Sequence, residues 1–261
     1  MSYDHVQIER RGHVMLIGIN RPAKANALNL QSFRELSSAY AEFDADESVR
    51  VGVLHGIGRH FTAGMDLREV APEVQAGRSL QAPGGINPWQ VEGRRVSKPL
   101  ISAVHGKCVT LGVELVLATD IVVCAASSSF ATLEPGLGLF PFGGSTSRMA
   151  QRTGWGNAMR WLLTCEEYDA QEAFRIGLVQ EVVDDGDHLT RALQLAEKIA
   201  RQAPLAIRAV LENSRRALRE GEAAAEIAML GLAQQTFNSV DGQAGIASFR
   251  EPGGPPVFVG R

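Results

Sequence analysis

The 261-residue sequence lacks the features that mark several large classes of protein. No stretch long enough to cross a bilayer is apolar throughout, and the first residues contain no apolar segment typical of a secretion signal. No run is rich in lysine or arginine, and 26 basic residues against 29 acidic ones give a formal charge of −3. We therefore expect neither a membrane nor a nucleic acid as partner, and a cytoplasmic location.

Cysteine is also scarce, with three residues that are far apart in the chain. Their odd number and apolar surroundings indicate reduced thiols that serve as small core residues. His105 precedes Cys108 by three positions, but a core thiol beside an unrelated histidine explains this spacing more simply than a catalytic pair. The six histidines show no spacing typical of metal ligands, so we expect no metal.

Two familiar catalytic motifs are incomplete. Gly136 and Gly138 begin a dinucleotide-type pattern, but Pro141 stands where the third glycine is needed, which argues against a nicotinamide site. Residues 143–147 do not form the GxSxG turn that carries the nucleophile in many hydrolases. We therefore expect no redox cofactor and no serine nucleophile.

Hydrophobic patterning predicts strands that alternate with helices. Two apolar runs separated by a short polar turn predict an antiparallel hairpin at the start. Asn29 is suited to cap a helix, and residues 71–96 form a long irregular segment of the kind that is usually functional or mobile. Residues 188–250 have a helical rhythm and must pack on the rest of the chain or on a partner subunit. The predicted strands cover 6–9, 14–20, 51–55, 100–104, 121–125, 130–133 and 178–183; the shorter predicted helices cover 67–70, 145–152, 156–164 and 170–175.

The stretch 105–120 is predicted to contain a short helix with no polar face. If this helix begins near Thr110, a plausible N-cap, the residues three and four positions from Glu114 are mostly apolar. A carboxylate there is buried or lines a cavity, and burial without a partner raises its pKa. The alternative is a glutamate that only favours the helix dipole near the N-terminus.

A second carboxylate and a small-residue turn accompany Glu114. Glu134 is followed at once by Pro135 and Gly136, which break regular structure. Ala63, Gly64 and Met65 form a turn just before a helix start, where backbone N–H groups can remain unpaired and bind an anion. Leu111, in the first turn of the other helix, could offer a second N–H, although such turns are often purely structural.

Taken together, these motifs resemble the crotonase superfamily, the enoyl-CoA hydratase/isomerase family, over essentially the whole chain. The order and spacing of the set carry the likeness, since each piece alone is loose. The matching residues are Arg21 and Pro22; Asn26 to Leu28; Phe61 to Asp66; Lys98 and Pro99; His105 and Gly106; Gly112 to Leu115; Asp120; Phe130, Glu134 and Gly138; Pro141, Gly144, Thr146 and Arg148; and Phe249, Phe258, Gly260 and Arg261.

The resemblance implies an α/β fold, a crotonase-like spiral of ββα units over residues 1–190. It also implies a C-terminal helical region over residues 191–261 that mediates trimerisation. The expected partners are an acyl-CoA substrate and further copies of the chain, as a homotrimer or a dimer of trimers. Coenzyme A is then part of the substrate, and no separate cofactor is expected.

The resemblance also implies residue roles. The thioester oxygen would accept hydrogen bonds from the N–H groups of Met65 and Leu111. In hydratases of the family two glutamates hold the water. Glu134 would then act as general acid/base towards the α carbon, and Glu114 would orient and deprotonate the water that adds to the β carbon. The alternatives are an isomerase, which usually retains only the Glu134 position, another enolate-forming enzyme, or a CoA-thioester binder without turnover, against which the retained pair argues.

For coenzyme A, the resemblance implies contacts from the two segments that precede these sites. The candidate residues are Lys24, Ala25, Arg59, Ala63, Gly64, Asp66 and Leu67. The chain departs from the family where Val109, Thr110 and Leu111 replace a glycine-rich run, which predicts a bulkier pocket. A proline- and glycine-rich segment, 251–256, replaces basic residues that could bind the 3′-phosphate of coenzyme A. Trp89 in the irregular segment 71–96 is expected to shape the acyl pocket.

Overall fold

A computed structural model describes residues 3–248 and 256–261. Within these residues, short strands alternate with helices, and helices alone follow the last strand. The strands are β1 (Val6–Arg11), β2 (Val14–Ile19), β3 (Val51–Gly56), β4 (Leu100–Val104), β5 (Lys107–Val109), β6 (Ile121–Ala125), β7 (Ser129–Ala131), β8 (Tyr168–Asp169) and β9 (Glu181–Val183). The helices are α1 (Leu30–Ala45), α2 (Leu67–Gln75), α3 (Leu111–Leu117), α4 (Ser145–Thr153), α5 (Trp155–Thr164), α6 (Ala170–Arg175), α7 (His188–Ala200), α8 (Pro204–Glu220), α9 (Glu222–Phe237) and α10 (Val240–Ser248), with 3-10 turns at Pro22–Lys24 and Pro135–Leu137.

The main sheet has six strands in the order β1-β2-β3-β4-β6-β9. The predicted hairpin is confirmed, because β1 and β2 pair antiparallel with Arg11 opposite Val14. Every other neighbouring pair in this sheet is parallel. Parallel strands need crossover connections, and the helices between the strands supply them.

The two faces of this sheet are buried under different helices. Successive side chains of a strand point to opposite faces. In β2, Val14 and Leu16 belong to an apolar cluster with the alanine-rich side of α7. Met15 and Ile17 belong to the larger cluster that includes α1 and α3. Burial on both faces explains why β2 is apolar at nearly every position instead of alternating.

A second, smaller sheet has the order β5-β7-β8, and it positions the start of α3. Neither β5 nor β8 was predicted, because three and two residues are too few for a hydrophobic pattern. α3 begins where predicted, but Thr110 does not cap it with its side chain. α2 continues through Pro72 to Gln75, beyond the single turn expected, and β9 is shorter than the predicted strand.

The C-terminal residues form the expected helices. α7 lies on the main sheet, whereas α8 packs chiefly against α9. The division of the chain at residues 190 and 191 stays a prediction, and it falls within α7. α8 has no buried residue in this chain, and Ile227 of α9 is 85% exposed. None of the helices in residues 3–248 combines the length and the hydropathy that a bilayer span requires.

Lys98 connects α1 to the sheet from a buried position. Its ammonium donates hydrogen bonds of 2.8 Å to the carbonyl of Phe43 and 2.6 Å to that of Asp46, at the C-terminal end of α1. It also lies 5.4 Å from the centre of the Phe43 ring. The last carbonyls of a helix have no intrahelical partner and carry partial negative charge, so a cation satisfies them. Burial lowers the pKa of Lys98 to about 8.

Replacing this lysine should therefore destabilise the fold. We expect Lys98→Met to lower the free energy of unfolding by about 2 kcal/mol, because it leaves the Phe43 carbonyl without its ammonium donor and leaves the Asp46 carbonyl with only the Val49 N–H. Urea denaturation followed by circular dichroism measures the change. Lys198→Met, on the exposed side of α7, is the control and should stay within about 0.5 kcal/mol of wild type. Equal stability of the two variants would contradict this role for Lys98.

Candidate active site

The segment after Thr62 and the start of α3 are aligned side by side. The Thr62 N–H donates to the Lys107 carbonyl at 2.9 Å, and the Val109 N–H donates to the Thr62 carbonyl at 3.2 Å. Thr62 and Cys108 form an isolated parallel bridge. Met65 and Leu111 each lie three residues beyond this bridge. The structure thus brings the two predicted N–H donors to the same end of paired segments.

Gly64 lets these segments approach closely. Its φ of +100° lies in the left-handed region, and a Cβ there would collide with the Thr110 hydroxyl. Thr110 itself has a φ of +53°, an uncommon conformation for a β-branched residue. Leu111 is the first residue of α3, so its N–H has no intrahelical acceptor. Among residues 3–248 and 256–261, neither the Met65 nor the Leu111 N–H donates a hydrogen bond.

Glu114 lies in the middle of α3 and is only 2% exposed. Its Oε1 accepts hydrogen bonds from the N–H of Gly143 at 2.7 Å, from the N–H of Ser145 at 3.3 Å and from the Ser145 hydroxyl at 3.0 Å. Ser145 is the first residue of α4, so the carboxylate sits at a helix N-terminus, where an anion is stabilised. The prediction that Glu114 does not face bulk water is confirmed.

The effect of burial on the pKa of Glu114 is nevertheless larger than the effect of these hydrogen bonds. Burial, and to a smaller extent the negative charge of Glu134, raise the pKa of Glu114 to about 7. The hydrogen bonds from Gly143 and Ser145 act in the opposite direction. The charge of Glu134 acts on Glu114 because the two side chains are close in space, although twenty residues separate them in the chain. Near neutral pH this pair is therefore poised to exchange a proton.

Glu134 precedes the 3-10 turn Pro135–Leu137. Burial raises its pKa as well. Its Oε2 is buried and has no hydrogen-bond partner in the described part of the chain. The carboxyl group therefore keeps one oxygen free for another molecule.

Trp89 forms a wall beside Glu114. A Cβ at Gly143 would lie 2.6 Å from the Trp89 indole and would also collide with Glu114 Oε2, so only glycine fits between them. The indole packs 4.6 Å from the Phe33 ring and 5.1 Å from the Phe142 ring, centre to centre. The irregular segment 71–96 thus supplies an aromatic side chain next to the carboxylate.

The candidate coenzyme A residues lie together on the turn before the site. The Ala63 N–H donates to the Ala25 carbonyl at 2.9 Å, which joins the two segments. Asp66 forms an ion pair of 3.2 Å with Arg21, and its N–H donates to the Leu28 carbonyl. The remaining residues of the group are near these in the chain: Lys24 ends the first 3-10 turn and is exposed, Gly64 follows Ala63, and Leu67 begins α2 with 41% exposure.

Asn26 holds this turn in place, although it was singled out only as part of the resemblance. It is fully buried, and its amide donates to the carbonyls of Ile57 at 2.9 Å and His60 at 2.7 Å. The side-chain oxygen Oδ1 of Asn26 accepts a hydrogen bond from the backbone N–H of Arg21 at 2.8 Å. Arg59 lies in the loop that these bonds secure.

Two residues that support Glu114 were missed as site residues. Gly143 and Ser145 were considered only as part of a hydrolase motif, and once that motif was rejected they were no longer candidates for the site. The available signal was a glycine pair and a serine at the start of the predicted helix 145–152, since such N-termini bind anions.

Most of the segment 251–256, with its expected effect on the coenzyme A phosphate, and Phe249 lie outside the described residues. Among the residues that are described, no three His, Cys, Asp or Glu side chains are grouped to hold a metal.

Comparison with known proteins gives a consistent set of relatives. The family model described as Enoyl-CoA hydratase/isomerase matches residues 9–260. Enoyl-CoA hydratase EchA19 of Mycobacterium tuberculosis is 37% identical over 95% of this chain and 94% of its own. The 2,3-dehydroadipyl-CoA hydratase of Escherichia coli is 35% identical over 97% of this chain and 98% of its own.

Solved structures support the same grouping. The crystal structure of a probable enoyl-CoA hydratase/isomerase from Mycobacterium abscessus is 50% identical, covers all of both chains and has a TM-score of 0.97. An enoyl-CoA hydratase from Mycobacterium tuberculosis H37Rv is 33% identical over 98% of this chain and 99% of that chain, with a TM-score of 0.88. The predicted crotonase-like α/β fold is confirmed.

The raised pKa of Glu114 predicts a pH-dependent stability difference. Since the folded-state pKa of about 7 exceeds the ordinary value of 4.5, the stability due to this group is present below pH 4.5 and is lost as pH rises to about 7. Glutamine does not titrate, so the Glu114→Gln variant does not lose this stability as the pH rises. We expect its free energy of unfolding, relative to wild type, to rise by about 1–3 kcal/mol between pH 4.5 and pH 8.

Urea denaturation at several pH values measures this difference. Glu197→Gln, on the exposed side of α7, is a matched control whose stability difference from wild type should not change with pH. A constant offset for Glu114→Gln across this range would show that Glu114 titrates normally.

Proposed function

The chain belongs to the enoyl-CoA hydratase/isomerase family, and from this premise we propose that it adds water across the 2,3 double bond of an enoyl-CoA. The product is a 3-hydroxyacyl-CoA. The observation that carries the proposal is the pair of carboxyl groups of Glu114, which is buried, and Glu134, which is half-buried; the charge of Glu134 raises the pKa of Glu114. Names of relatives at 33–37% identity support hydratase chemistry at the family level.

In this proposal, the thioester oxygen binds between the N–H groups of Met65 and Leu111. Attack of water on the β carbon moves negative charge through the α carbon to this oxygen, forming an enolate. Donors that are already aligned stabilise that charge without reorganising solvent. The arrangement of Gly64 and Thr110 supports this role, since it holds both donors in place before substrate arrives.

The two glutamates divide the proton transfers. Ionised Glu114 takes a proton from water as its oxygen bonds to the β carbon, and the π electrons move to the α carbon and the thioester oxygen. Protonated Glu134 then donates its proton to the α carbon. The pair begins and ends with one proton, which fits two coupled carboxyl groups that do not both ionise easily. Metal and redox cofactors have no role in this scheme, and coenzyme A belongs to the substrate.

Coenzyme A would bind along the joined turns that include Lys24, Ala25, Ala63, Gly64, Asp66 and Leu67. The exposed ammonium of Lys24 supplies positive charge for a phosphate group. Asp66 would contribute through the position of its backbone, since its carboxylate is already paired with Arg21. These roles rest on the family resemblance and on the proximity of the two segments.

We also propose that the protein is a homotrimer or a dimer of trimers. The observation in support is the exposed apolar surface of the helices α8 to α10, where the side chains of Ile227, Leu230 and Phe237 are more than half exposed. Several large apolar side chains exposed on one helix indicate an interface. Light scattering should give a mass of three or six chains, and a monomer would refute the assembly.

Hydration is tested with crotonyl-CoA and the loss of the enoyl absorbance. We expect Glu114→Gln and Glu134→Gln each to lower kcat by at least about 100-fold, because each removes a proton-transfer group. The matched control is Glu197→Gln, on the exposed side of α7, which should keep wild-type activity.

The other outcomes separate the alternatives. If wild type does not hydrate crotonyl-CoA, but both wild type and Glu114→Gln isomerise a 3-enoyl-CoA, the protein is an isomerase. Binding of crotonyl-CoA without turnover of either substrate would indicate a binding protein, and the hydratase proposal would be wrong.

A further inference from the structure

Trp89 places a hydrogen-bond donor without an acceptor beside the proposed catalytic glutamates. The indole Nε1 can donate a hydrogen bond and cannot accept one. The side chain is buried, with 2% exposure, and its Nε1 has no hydrogen-bond partner among residues 3–248 and 256–261. Because buried polar groups are nearly always hydrogen-bonded, an unpaired N–H next to a proposed active site indicates that a bound molecule supplies the acceptor.

Glu114 has an oxygen without a donor next to the same indole. Within the described part of the chain, all three hydrogen bonds to this carboxylate end on Oε1, which leaves Oε2 free. A Cβ added to Gly143 would collide with Oε2 and would lie 2.7 Å from Cε2 of Trp89. At most about 5 Å therefore separates Oε2 from Cε2, and Cε2 is the ring atom that carries Nε1.

One oxygen atom can join these two groups. A hydrogen bond from nitrogen to oxygen is about 2.9 Å long, and one between two oxygens is about 2.8 Å long. A single oxygen that binds both Nε1 and Oε2 therefore joins atoms about 4.5–5.5 Å apart. The close contact of both side chains with Gly143 allows this separation, and any larger residue at position 143 would push them apart.

The proposed reaction supplies an oxygen at this place. The attacking water gives a proton to Glu114 and directs one lone pair to the β carbon of the substrate. Its second lone pair is left to accept a hydrogen bond, and an N–H group is a suitable donor. In the product, the same oxygen belongs to the 3-hydroxyl group.

The other donors assigned to this site are already in use. The N–H of Gly143 and the hydroxyl of Ser145 donate to Oε1 of Glu114. The proton of Glu134 is transferred to the α carbon. The two N–H groups proposed for the thioester oxygen bind that oxygen. The indole N–H of Trp89 is left for the oxygen at the β carbon.

The Trp89 ring is held in place from several sides. It packs 4.6 Å from the Phe33 ring and 5.1 Å from the Phe142 ring, centre to centre. The backbone of Trp89 is also fixed, because its N–H donates to the side chain of Asn87 at 2.9 Å and its carbonyl accepts from Arg148. The donor is therefore aligned before substrate binds, which is the condition for stabilising charge without reorganisation.

We propose that the indole N–H of Trp89 donates a hydrogen bond to the oxygen that is added at the β carbon, which makes Trp89 a third catalytic residue. The inference rests on the proposed function and adds to it. In hydration, this hydrogen bond orients the lone pairs of the water. In the reverse reaction, it stabilises the negative charge on the oxygen as the C–O bond breaks and Glu114 returns its proton.

Binding of two unreactive ligands tests this without turnover. S-(3-Hydroxybutyl)-CoA and S-butyl-CoA are thioethers that lack the carbonyl group, so neither has an acidic α proton, and they differ only in the hydroxyl group. Calorimetry gives both dissociation constants. We expect wild type to bind the hydroxyl compound at least about 10-fold more tightly, because both Glu114 and Trp89 bind the hydroxyl. Trp89→Phe should lower this preference about 5-fold, the size of one neutral hydrogen bond.

Two further variants separate the N–H group from the shape of the ring. Replacement of Trp89 by 3-benzothienylalanine keeps two fused rings and exchanges the N–H for sulfur, so it should lower the preference as much as Trp89→Phe does. Trp161→Phe is the matched control. Trp161 is also buried and its Nε1 has no partner in the described residues, but it packs against Tyr168, and its variant should keep the wild-type preference.

Hydration of crotonyl-CoA gives a second measurement. In Trp89→Phe, kcat should fall at least about 10-fold while KM changes less than about 3-fold, because the lost hydrogen bond is made to the water and not to the CoA ester. A loss of packing alone would weaken ester binding and raise KM.

Three results would overturn the inference: no preference for the hydroxyl compound in wild type, an unchanged preference in Trp89→Phe, or a wild-type preference in the 3-benzothienylalanine variant. The outcome for the proposed function is separate. If wild type hydrates crotonyl-CoA and every variant keeps the preference, the hydratase proposal stands and the role of Trp89 is wrong. If the preference depends on the indole N–H but wild type does not hydrate crotonyl-CoA, the oxygen-binding role stands and the hydratase proposal is wrong.

Discussion

The structure depends on keeping one carboxylate, Glu114, away from water while retaining its ability to ionise. Removing a carboxylate from solvent costs several kcal/mol unless donors replace the water. The N-terminus of α4 supplies two backbone N–H groups and a hydroxyl, all directed at the same oxygen. These donors offset part of the cost, so the group titrates near neutral pH and does not stay permanently protonated.

Much of the surrounding structure serves to bring parts of the chain close to this group. The parallel bridge of Thr62 with Cys108 aligns the two N–H donors. Gly64 allows the close approach at one side of the site, and Gly143 allows it at the other. Arg148 then fixes the Trp89 loop through backbone carbonyls. Backbone groups and small residues thus define the site as much as the acidic side chains do.

Sequence patterns predicted most of the main sheet, because its strands are long enough for burial on two faces to be visible in the sequence. They also located Glu114, since a charged residue in a helix without a polar face has no exposed side to occupy. Short strands such as β5, and the continuation of α2 through Pro72, depend on tertiary contacts that local patterns do not encode. A local signal marked Ser145 as part of a helix N-terminus, but its pairing with Glu114 is a tertiary contact across thirty-one positions.

The position of Trp89 makes the protein its own optical probe. An indole that lies against Gly143, with a buried Nε1 that has no hydrogen-bond partner among the described residues, senses the electric field of the neighbouring carboxylate. Its emission will therefore shift when that carboxylate gains or loses a proton. The other two tryptophans, Trp155 and Trp161, both belong to α5, so replacing them with phenylalanine isolates the signal of the site.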